Sequence, residues 1–289
     1  MVFAVMGGDA RIVQLCRMLA DDGHEVRAFA LEKAGHMDGV VTAVSAAAAA
    51  EGADCVVLPL PVSARPGLLS APLGAGEYRI EDVLDAIGPE TVVCGGRVDG
   101  ETEAAARRRH IQIADYFRRE ELTVKNAVAT AEGAVGIIMQ ETPVTLWRSR
   151  VLVVGYGRVG KLLCHRLAGM GARVSASARR HGDMAWIEAM GYEALDTRDL
   201  EGKLGHFDVI VNTVPALVLP EARLREVRED ALLVDLASKP GGMDFSAAAR
   251  LGLQAVWALS LPGEVAPLSA GGMIRESIFN ILEECNEKS

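Results

Sequence analysis

The sequence predicts an α/β protein built from two Rossmann-like domains, each with a doubly wound parallel sheet. Two observations support this fold class. Apolar runs of strand length alternate with helical patterns along the whole chain, which is typical of parallel sheets covered by helices on both faces. The length of 289 residues and the hydrophobic content of 50% suit two domains, each with its own core.

The predicted elements of the first half alternate between strand and helix. Strands are expected at residues 2–6, 25–31, 55–60, 91–94 and 123–125, where short apolar or β-branched runs occur. Helices are expected near residues 10–21, 43–51, 80–87 and 101–120. Residues 61–77 are rich in Pro, Gly, Ser and Ala and are predicted to form a long loop, which is often functional in a compact domain.

The second half repeats this alternation. Strands are expected at residues 150–154, 173–177, 207–212, 231–236 and 254–257, with helices near residues 158–170, 182–190, 220–227, 244–251 and 270–285. We therefore predict one domain over residues 1–128, an interdomain helix within residues 129–149, and a second domain over residues 150–269.

The turn after the first strand of the second half carries a G-x-G-x-x-G motif. It follows an apolar strand and opens a helix, the context in which this motif binds a dinucleotide. Gly155 permits the tight turn, Gly157 lets the backbone approach the pyrophosphate, and Gly160 allows close packing of helix on strand. The pyrophosphate would lie at the positive end of this helix. The predicted cofactor-binding turn also contains Tyr156, Arg158 and Val159.

The end of the next strand indicates which nicotinamide cofactor the domain binds. In NAD-specific domains an Asp or Glu about 20 residues after the glycines holds the ribose hydroxyls. Ala178 fills that position here, and Arg179 and Arg180 follow it. An Arg side chain suits a 2′-phosphate because its planar fork of donors matches phosphate oxygens. We therefore predict NADP; the alternative is that both arginines are solvated surface charges.

Two later turns of the same domain are predicted to flank the nicotinamide, because ligands of open α/β sheets bind beyond the carboxyl ends of the strands. Lys239 is the only basic residue of the second turn and is a candidate catalytic or carboxylate-binding cation. The other predicted cofactor-binding residues of these turns are Asn212, Thr213, Val214, Pro215, Leu236, Ala237 and Ser238.

Turns of the first half supply candidate substrate-binding residues. The backbone near Gly8 and the side chain of Arg11 are expected to hold a carboxylate. Asp9 belongs to that site or caps the following helix, and both interpretations stay open. Ser63, in the turn after the third strand, is a further candidate.

Thr130 and Glu132 lie where the chain would cross between the domains. Thr130 is a candidate substrate-binding residue, and Glu132 is a candidate general base or substrate anchor. The alternative is ordinary first-turn chemistry, since an acidic side chain near a helix start favours the helix dipole.

Charge, cysteine spacing and hydropathy argue against several function classes. A net charge of −9 without a dense basic patch argues against nucleic-acid binding. No apolar run approaches the roughly 20 residues that span a bilayer, and no signal-peptide pattern is present. The five scattered cysteines indicate core residues in a reducing cytoplasm, and the six histidines show no metal-binding spacing. We therefore expect a cytoplasmic protein without a metal site.

Taken in order, the motifs resemble those of the family of dipicolinate synthase A subunits of spore-forming bacteria. The resemblance covers most of the chain and depends on the joint order and spacing of its motifs. These motifs are Gly7-Gly-Asp-Ala-Arg11, Thr130-x-Glu132-Gly133, Gly155-x-Gly-Arg-x-Gly160, Ala178-Arg179, Asn212-Thr-x-Pro215, Asp235-Leu-Ala-Ser-Lys-Pro-Gly-Gly242-x-Asp244 and Leu261-Pro-Gly-x-Val-Ala-Pro267.

This resemblance implies an NADP-dependent oxidoreductase that oxidises dihydrodipicolinate, a small dicarboxylate, to dipicolinate during sporulation. The partner that it implies is the flavoprotein-like B subunit of dipicolinate synthase. The architecture is similar to that of D-2-hydroxyacid (formate/glycerate) dehydrogenases, and by this analogy we expect residues 270–289 to pack back on the first domain. A homo-oligomer, by default a dimer, is expected for this architecture.

Two alternatives stay open. A D-2-hydroxyacid dehydrogenase uses an Arg after the fifth strand and a catalytic His near the final turn, where this chain has Lys239 and the histidine-free residues 260–267. The family of A subunits also tends to carry Arg at the position of Lys239. Residues 260–267 provide no histidine as an acid–base group. This absence fits an aromatisation better than the oxidation of a hydroxyl, which needs a general base. The second alternative is a non-catalytic nucleotide-binding subunit whose partner carries the chemistry.

Overall fold

The computed structural model describes residues 1–287, which form two compact units. Met1–Asn126 and the chain from Ala266 onward make the first unit, and Ala127–Val265 make the second. Each unit has a six-stranded sheet with its own buried apolar clusters. The predicted fold class of two Rossmann-like domains is confirmed.

The sheet of the first unit is entirely parallel. In chain order the strands of this unit are β1 (Val2–Met6), β2 (Glu25–Phe29), β3 (Val40–Thr42), β4 (Cys55–Val57), β5 (Ser63–Arg65), β6 (Leu68–Leu69), β7 (Val92–Gly95) and β8 (Ile113–Asp115). The sheet order is β3-β2-β1-β4-β7-β8, while β5 and β6 form an antiparallel hairpin. The helices that follow these strands are α1 (Ala10–Asp21), α2 (Ala46–Ala50), α3 (Ile80–Asp85), α4 (Gly100–Arg108) and α5 (Glu120–Glu141).

The sheet of the second unit has the same topology. Its strands are β9 (Arg150–Val154), β10 (Arg173–Ala178), β11 (Glu193–Asp196), β12 (Val209–Asn212), β13 (Leu232–Asp235) and β14 (Gln254–Trp257). Its helices are α6 (Arg158–Gly169), α7 (His181–Ala189), α8 (Glu221–Leu224), α9 (Phe245–Arg250) and α10 (Leu261–Val265). The order β11-β10-β9-β12-β13-β14 reverses direction between β9 and β12, and in such sheets the dinucleotide binds at that switch point.

The last helix, α11 (Pro267–Asn286), is part of the first unit. Ile274 and Ile278 are buried in the apolar cluster that also contains Phe3 and Ile12. A Cβ on Gly271 would lie 2.7 Å from the backbone O of Arg11, so glycine permits the close approach of α11 to α1. Within residues 1–287, no helix combines the length and the apolar character that crossing a membrane requires.

Two predicted elements are wrong. The helix predicted over residues 101–120 ends at Arg108, and Ile113–Asp115 instead form the edge strand β8 beside β7. Residues 123–125, predicted as a strand, lie inside α5, whose first turn holds Glu120 and Glu121. The β-branched Thr-Val pair favours a strand only locally, and tertiary packing overrides this weak preference. Sequence reasoning also missed β3, β11, α10 and the β5–β6 hairpin.

Candidate active site

The turn between β9 and α6 requires glycine at two positions. Gly155 has a φ of +98°, and a Cβ there would lie 2.4 Å from Thr213 Oγ1. A Cβ on Gly160 would lie 2.1 Å from the backbone O of Gly155, much closer than Cβ atoms approach other heavy atoms. These two glycines therefore allow α6 to begin directly against the end of β9.

The N-terminus of α6 is open to an anion. Gly157 is the N-cap residue and provides no side-chain cap, and the first turn of α6 holds no acidic residue. A Cβ on Gly157 would meet no atom of the described structure within 4 Å. The N–H groups at the positive end of a 12-residue helix without a side-chain cap suit a phosphate, so this turn fits the pyrophosphate of a dinucleotide.

The side chains between these glycines have different environments. Tyr156 is buried in the core of the second unit, and burial raises the pKa of its phenol to about 12. Lys161 Nζ lies 5.6 Å from the centre of the Tyr156 ring. Arg158 is exposed and Val159 is half-buried. Tyr156 is thus a core side chain that contributes its backbone to the turn.

The two arginines after β10 differ in their partners. Ala178 is buried at the strand end, while Arg179 and Arg180 are exposed. Arg180 pairs with Asp183, with Nε 2.7 Å from Oδ2 and Nη2 3.2 Å from Oδ1. Over residues 1–287, the Arg179 side chain has neither an ion pair nor a hydrogen bond. Arg179 is therefore the arginine that is available to an anion.

An acidic residue of the neighbouring strand is already neutralised. Asp196 ends β11 and is in register with Ala178. Arg198 binds its carboxylate with both ends of the guanidinium fork, with Nη2 2.6 Å from Oδ2 and Nε 3.0 Å from Oδ1. Hydrogen bonds from the Arg198 side chain and backbone N–H lower the pKa of Asp196 to about 2. The end of β11 thus presents an ion pair rather than a lone carboxylate.

A buried carboxylate joins the turns that follow β12 and β13. Asp235 and Asn212 are fully buried. Asn212 Nδ2 donates to Asp235 Oδ1 at 2.7 Å, and the backbone N–H of Ala237 donates to the same oxygen at 2.9 Å. The backbone N–H of Gly242 donates to Asp235 Oδ2 at 2.7 Å. Asn212 Oδ1 accepts from the backbone N–H of Val214 at 3.1 Å, so three predicted cofactor-binding residues, Asn212, Val214 and Ala237, belong to one connected network.

The loop after β13 is fixed at its base and presents a cation at its tip. Trp257 Nε1 donates to the backbone O of Ala237 at 3.0 Å, and its ring stacks on Phe245 with centroids 5.2 Å apart. Gly241 has a φ of +86°, and a Cβ there would lie 3.1 Å from the Trp257 ring. Lys239 is exposed and has no ion pair with the described residues.

The turn after β1 holds three of the predicted substrate-binding residues. Gly8 has a φ of +116°, and Asp9 is the N-cap of α1, since its Oδ1 accepts from the backbone N–H of Arg11 at 3.0 Å. The structure thus shows the capping role of Asp9. Arg11 is only 7% exposed, and its Nη2 donates to Asp9 Oδ2 at 2.7 Å and to the backbone O of Leu60 at 2.6 Å. Arg11 therefore joins the turns after β1 and β4.

The remaining predicted site residues have local partners. Ser63 begins β5, and its hydroxyl donates to the backbone O of Arg65 at 2.5 Å. Thr130 is half-buried on α5. Glu132 is exposed on α5 and accepts from Arg166 Nη2 at 3.0 Å. Arg166 lies eight residues beyond the start of α6, about 12 Å along the helix, so the structure does not bring Glu132 to the glycine turn.

Two family models match the chain. Residues 2–117 match the N-terminal domain of the dipicolinate synthase A subunit, and residues 106–238 match the NAD-binding domain of D-isomer-specific 2-hydroxyacid dehydrogenases. The A subunit of dipicolinate synthase from Bacillus subtilis (strain 168) is 29% identical over 283 residues, which cover 97% of this chain and 95% of that protein. The chain is a relative of the A subunit of dipicolinate synthase.

Solved structures agree with this relationship. The crystal structure of the dipicolinate synthase A subunit from Bacillus halodurans matches with a TM-score of 0.87 and 27% identity, covering 97% of both chains. D-lactate dehydrogenase from Escherichia coli matches with a TM-score of 0.66 and 15% identity over 98% of this chain and 97% of that one, which shows a shared fold. The family resemblance seen in the motifs is confirmed.

This relative of the dipicolinate synthase A subunit has a nucleotide-binding domain of dehydrogenase type, which supports an oxidoreductase subunit with a nicotinamide cofactor. The turns and charges of the second unit are compatible with that domain. Among residues 1–287, no group of three or more His, Cys, Asp or Glu side chains is placed to hold a metal ion.

Sequence reasoning missed residues that organise both sets of turns. Asp235 has a usable signal, since an acidic residue that ends an apolar strand must find buried donors. Tyr116 has none: its hydroxyl donates to the backbone O of Leu58 at 2.9 Å, 58 residues away. Gly96 packs on that ring, where a Cβ would lie 2.4 Å from a Tyr116 carbon. Tyr116 meets Leu58 and Gly96 only when the sheet has folded, so the sequence pattern does not reveal these contacts.

Proposed function

We propose that this chain is the NADP-dependent subunit that oxidises dihydrodipicolinate to dipicolinate, in the cytoplasm of sporulating cells and together with a flavoprotein-like subunit. The observation that carries the proposal is an open dinucleotide turn, followed by Ala178 and the unpaired Arg179, in a relative of the dipicolinate synthase A subunit. That relative is named as one subunit of a synthase, which supports a partner for this chain. A homodimer is our default for the assembly.

The second unit supplies the groups that would hold the cofactor. The backbone N–H groups at Gly157 and the start of α6 would bind the pyrophosphate, and Arg179 would bind the 2′-phosphate. Ala178 places no carboxylate where it would repel that phosphate. When bound, NADP supplies nicotinamide C4 as the hydride acceptor.

The reaction removes a hydride and a proton from the dihydropyridine ring and leaves an aromatic product. Because aromaticity drives this step, the chain mainly has to orient the ring and restrict its motion. Lys239 would bind a substrate carboxylate as a point charge. The hydrogen bonds of Asp235 and Trp257 hold the Lys239 loop at both of its ends, which restricts where this charge can lie.

We propose that solvent accepts the proton. Glu132 pairs with Arg166, about 12 Å along α6 from the glycine turn, and Arg11 binds the carboxylate of Asp9 through two nitrogens. We therefore expect Glu132→Gln to change kcat by less than about threefold, since it breaks only an exposed ion pair. A loss of kcat of about 100-fold or more would instead identify Glu132 as the general base.

A second candidate is a nucleotide-binding subunit whose partner carries the chemistry. The observation that favours it is that Asp9 and Glu132, the candidate bases, are both ion-paired. A D-2-hydroxyacid dehydrogenase is not favoured, since residues 260–267 contain no histidine.

Turnover by the isolated chain distinguishes these functions. The purified chain is mixed with dihydrodipicolinate and NADP, and NADPH absorbance and dipicolinate are followed together. We expect equal amounts of both products from the chain alone. Turnover only after a second subunit is added would support the nucleotide-binding candidate, and turnover of D-lactate or D-glycerate would support a 2-hydroxyacid dehydrogenase.

A further inference from the structure

The charged residue that sequence motifs place at the carboxyl edge of the first sheet is not free to bind substrate. Arg11 Nε lies 3.0 Å from Asp9 Oδ1, and Nη2 contacts both Asp9 Oδ2 and the backbone O of Leu60. The side chain is also nearly buried. A dicarboxylate substrate has two anionic groups. If the first unit binds one of them, a cation other than Arg11 has to do so.

Arg97 is an unpaired cation at that edge. It directly follows the turn after β7, its side chain is exposed, and it makes no ion pair or side-chain hydrogen bond with the described residues. Arg17 and Lys33 are the other unpaired Arg and Lys side chains of the first unit within residues 1–287. Arg17 lies in the third turn of α1, and Lys33 follows β2, on the opposite side of β1 from β4 and β7.

The backbone of Arg97 is held in a fixed conformation. Its φ is +53°, and its N–H donates to Asp115 Oδ1 at 2.9 Å, while the next N–H, of Val98, donates to Oδ2 at 3.1 Å. Gly96 is packed between the ring of Tyr116 and Leu60, where a Cβ would lie 2.4 Å and 2.9 Å from their carbons. A left-handed Arg is uncommon and persists only where surrounding contacts impose it.

The turn that carries Arg97 is bonded to the turn that Arg11 holds. The backbone N–H of Gly96 donates to the O of Pro59 at 3.1 Å, and the N–H of Val62 donates to the O of Gly96 at 2.9 Å. Arg11 donates to the O of Leu60, inside the same segment. The three turns after β1, β4 and β7 therefore form one rigid edge, and Arg97 is its free charge.

We propose that Arg97 binds a carboxylate of the substrate and of the aromatic product, while Arg11 positions the turns that support it. This assignment rests on the proposed function. The planar guanidinium suits a carboxylate because two parallel N–H groups match its two oxygens. Recognition of a dicarboxylate rather than a monocarboxylate is the specificity that such a second cation provides.

The test compares two variants that remove one unpaired arginine each. Arg97→Asn removes the charge and keeps a residue that accepts a left-handed backbone, and Arg17→Asn is the matched control. Calorimetry measures the Kd of dipicolinate and of picolinate, a monocarboxylate, with the chain saturated by NADP. Fluorescence measures the Kd of NADPH, and thermal unfolding reports folding. Arg97→Lys is included because it retains the charge without the fork.

We expect Arg97→Asn to raise the Kd of dipicolinate by about 10- to 100-fold, with NADPH binding and unfolding unchanged. The preference for dipicolinate over picolinate should shrink by the same factor, and Arg97→Lys should lie between. If Arg97→Asn behaves as Arg17→Asn does in a wild-type background that binds dipicolinate, the role of Arg97 is wrong and the proposed function stands. A wild-type chain that neither binds dipicolinate nor oxidises dihydrodipicolinate would overturn both.

Discussion

The adjacent arginines at the end of β10 should not contribute equally to cofactor choice. Arg179 is unpaired, whereas Arg180 would have to leave Asp183 to reach an anion. We predict that Arg179→Ala lowers the preference for NADPH over NADH by about 10- to 100-fold, the value of one charge-assisted contact. Arg180→Ala should change it by less than about threefold. Fluorescence titration of both nucleotides measures the effect, and an unchanged preference in Arg179→Ala would exclude it from the 2′-phosphate site.

The lowered pKa of Asp196, the last residue of β11, predicts how the stability of the fold changes in acid. Its pKa is lowered from the ordinary 3.8 to about 2 by hydrogen bonds from Arg198. A lowered pKa means that the ionised carboxylate stabilises the fold above pH 3.8 and that this contribution disappears as the pH falls through about 2. We expect the pKa of the Asp196 carboxyl, measured by NMR titration, to return toward its ordinary value of 3.8 in Arg198→Ala. A normal value in the unmutated chain would show that the pair does not form in solution.

Residue roles were predictable where they depend on local backbone. The spacing of Gly155 and Gly160 specifies their roles, because each acts on the turn that contains it. Roles that depend on distant partners were not predictable. One such contact is the hydrogen bond from Arg11 to the backbone O of Leu60, which lies 49 residues away. No spacing rule identifies that contact, and the same is true of Glu132 and Arg166, 34 residues apart.

At the scale of elements, two glycines near the start of α6 have different predicted roles. Gly157 would let the backbone approach the nucleotide, and Gly160 allows α6 to pack closely against the end of β9. Gly157→Ala places its Cβ in open space at φ −82°, so we predict stability within about 0.5 kcal/mol of wild type and at least tenfold weaker NADPH binding, roughly the loss of one hydrogen bond. Gly160→Ala meets a backbone oxygen at 2.1 Å, so we predict a loss of about 1–3 kcal/mol or more.

The control for this pair is Gly136→Ala in the interior of α5, where a Cβ meets no atom within 4 Å. It should stabilise the fold by about 0.5–1 kcal/mol, because alanine is the better helix former. Urea unfolding and nucleotide titration of the three variants measure both properties. Equal loss of stability in Gly157→Ala and Gly160→Ala would contradict the division of roles.

Elements with long, repeated patterns were predicted better than short edge elements. The strand β9 and the helix α6 follow from an apolar run and a glycine turn. In contrast, β8 contains three residues and owes its existence to pairing with β7. A pattern of three residues does not distinguish a strand from the continuation of a helix, so the prediction over 101–120 merged α4 with β8.

At the scale of the whole molecule, both sheets have the same strand order, and the alternation of the sequence was sufficient to predict this class. The alternation alone does not indicate that α11 completes the first unit; the expectation that residues 270–289 pack back on the first domain comes from the analogy with D-2-hydroxyacid dehydrogenases. That division depends on which buried surface the last helix covers.

Removal of α11 should therefore affect the two units differently. Ile274, Ile278, Ile281 and Leu282 are buried in the first core, so a chain that ends at Val265 leaves this core uncovered. We predict that limited proteolysis degrades the first unit of this chain while its second unit still binds NADPH. The milder Ile278→Ala should cost about 2–5 kcal/mol in the full chain. Resistance of the truncated first unit to protease would show that α11 is dispensable.

The discontinuity of the first unit also dictates when each core can mature on the ribosome. A chain emerges from its amino end at about 5–20 residues per second, and domains generally fold in that order. Here the first sheet is synthesised early, but the 20 residues of α11 that cover it are translated only after the second unit. The second unit, Ala127–Val265, has left the synthesis site before α11 is made. The amino-terminal half can thus complete its core only after the whole nucleotide-binding half has been translated.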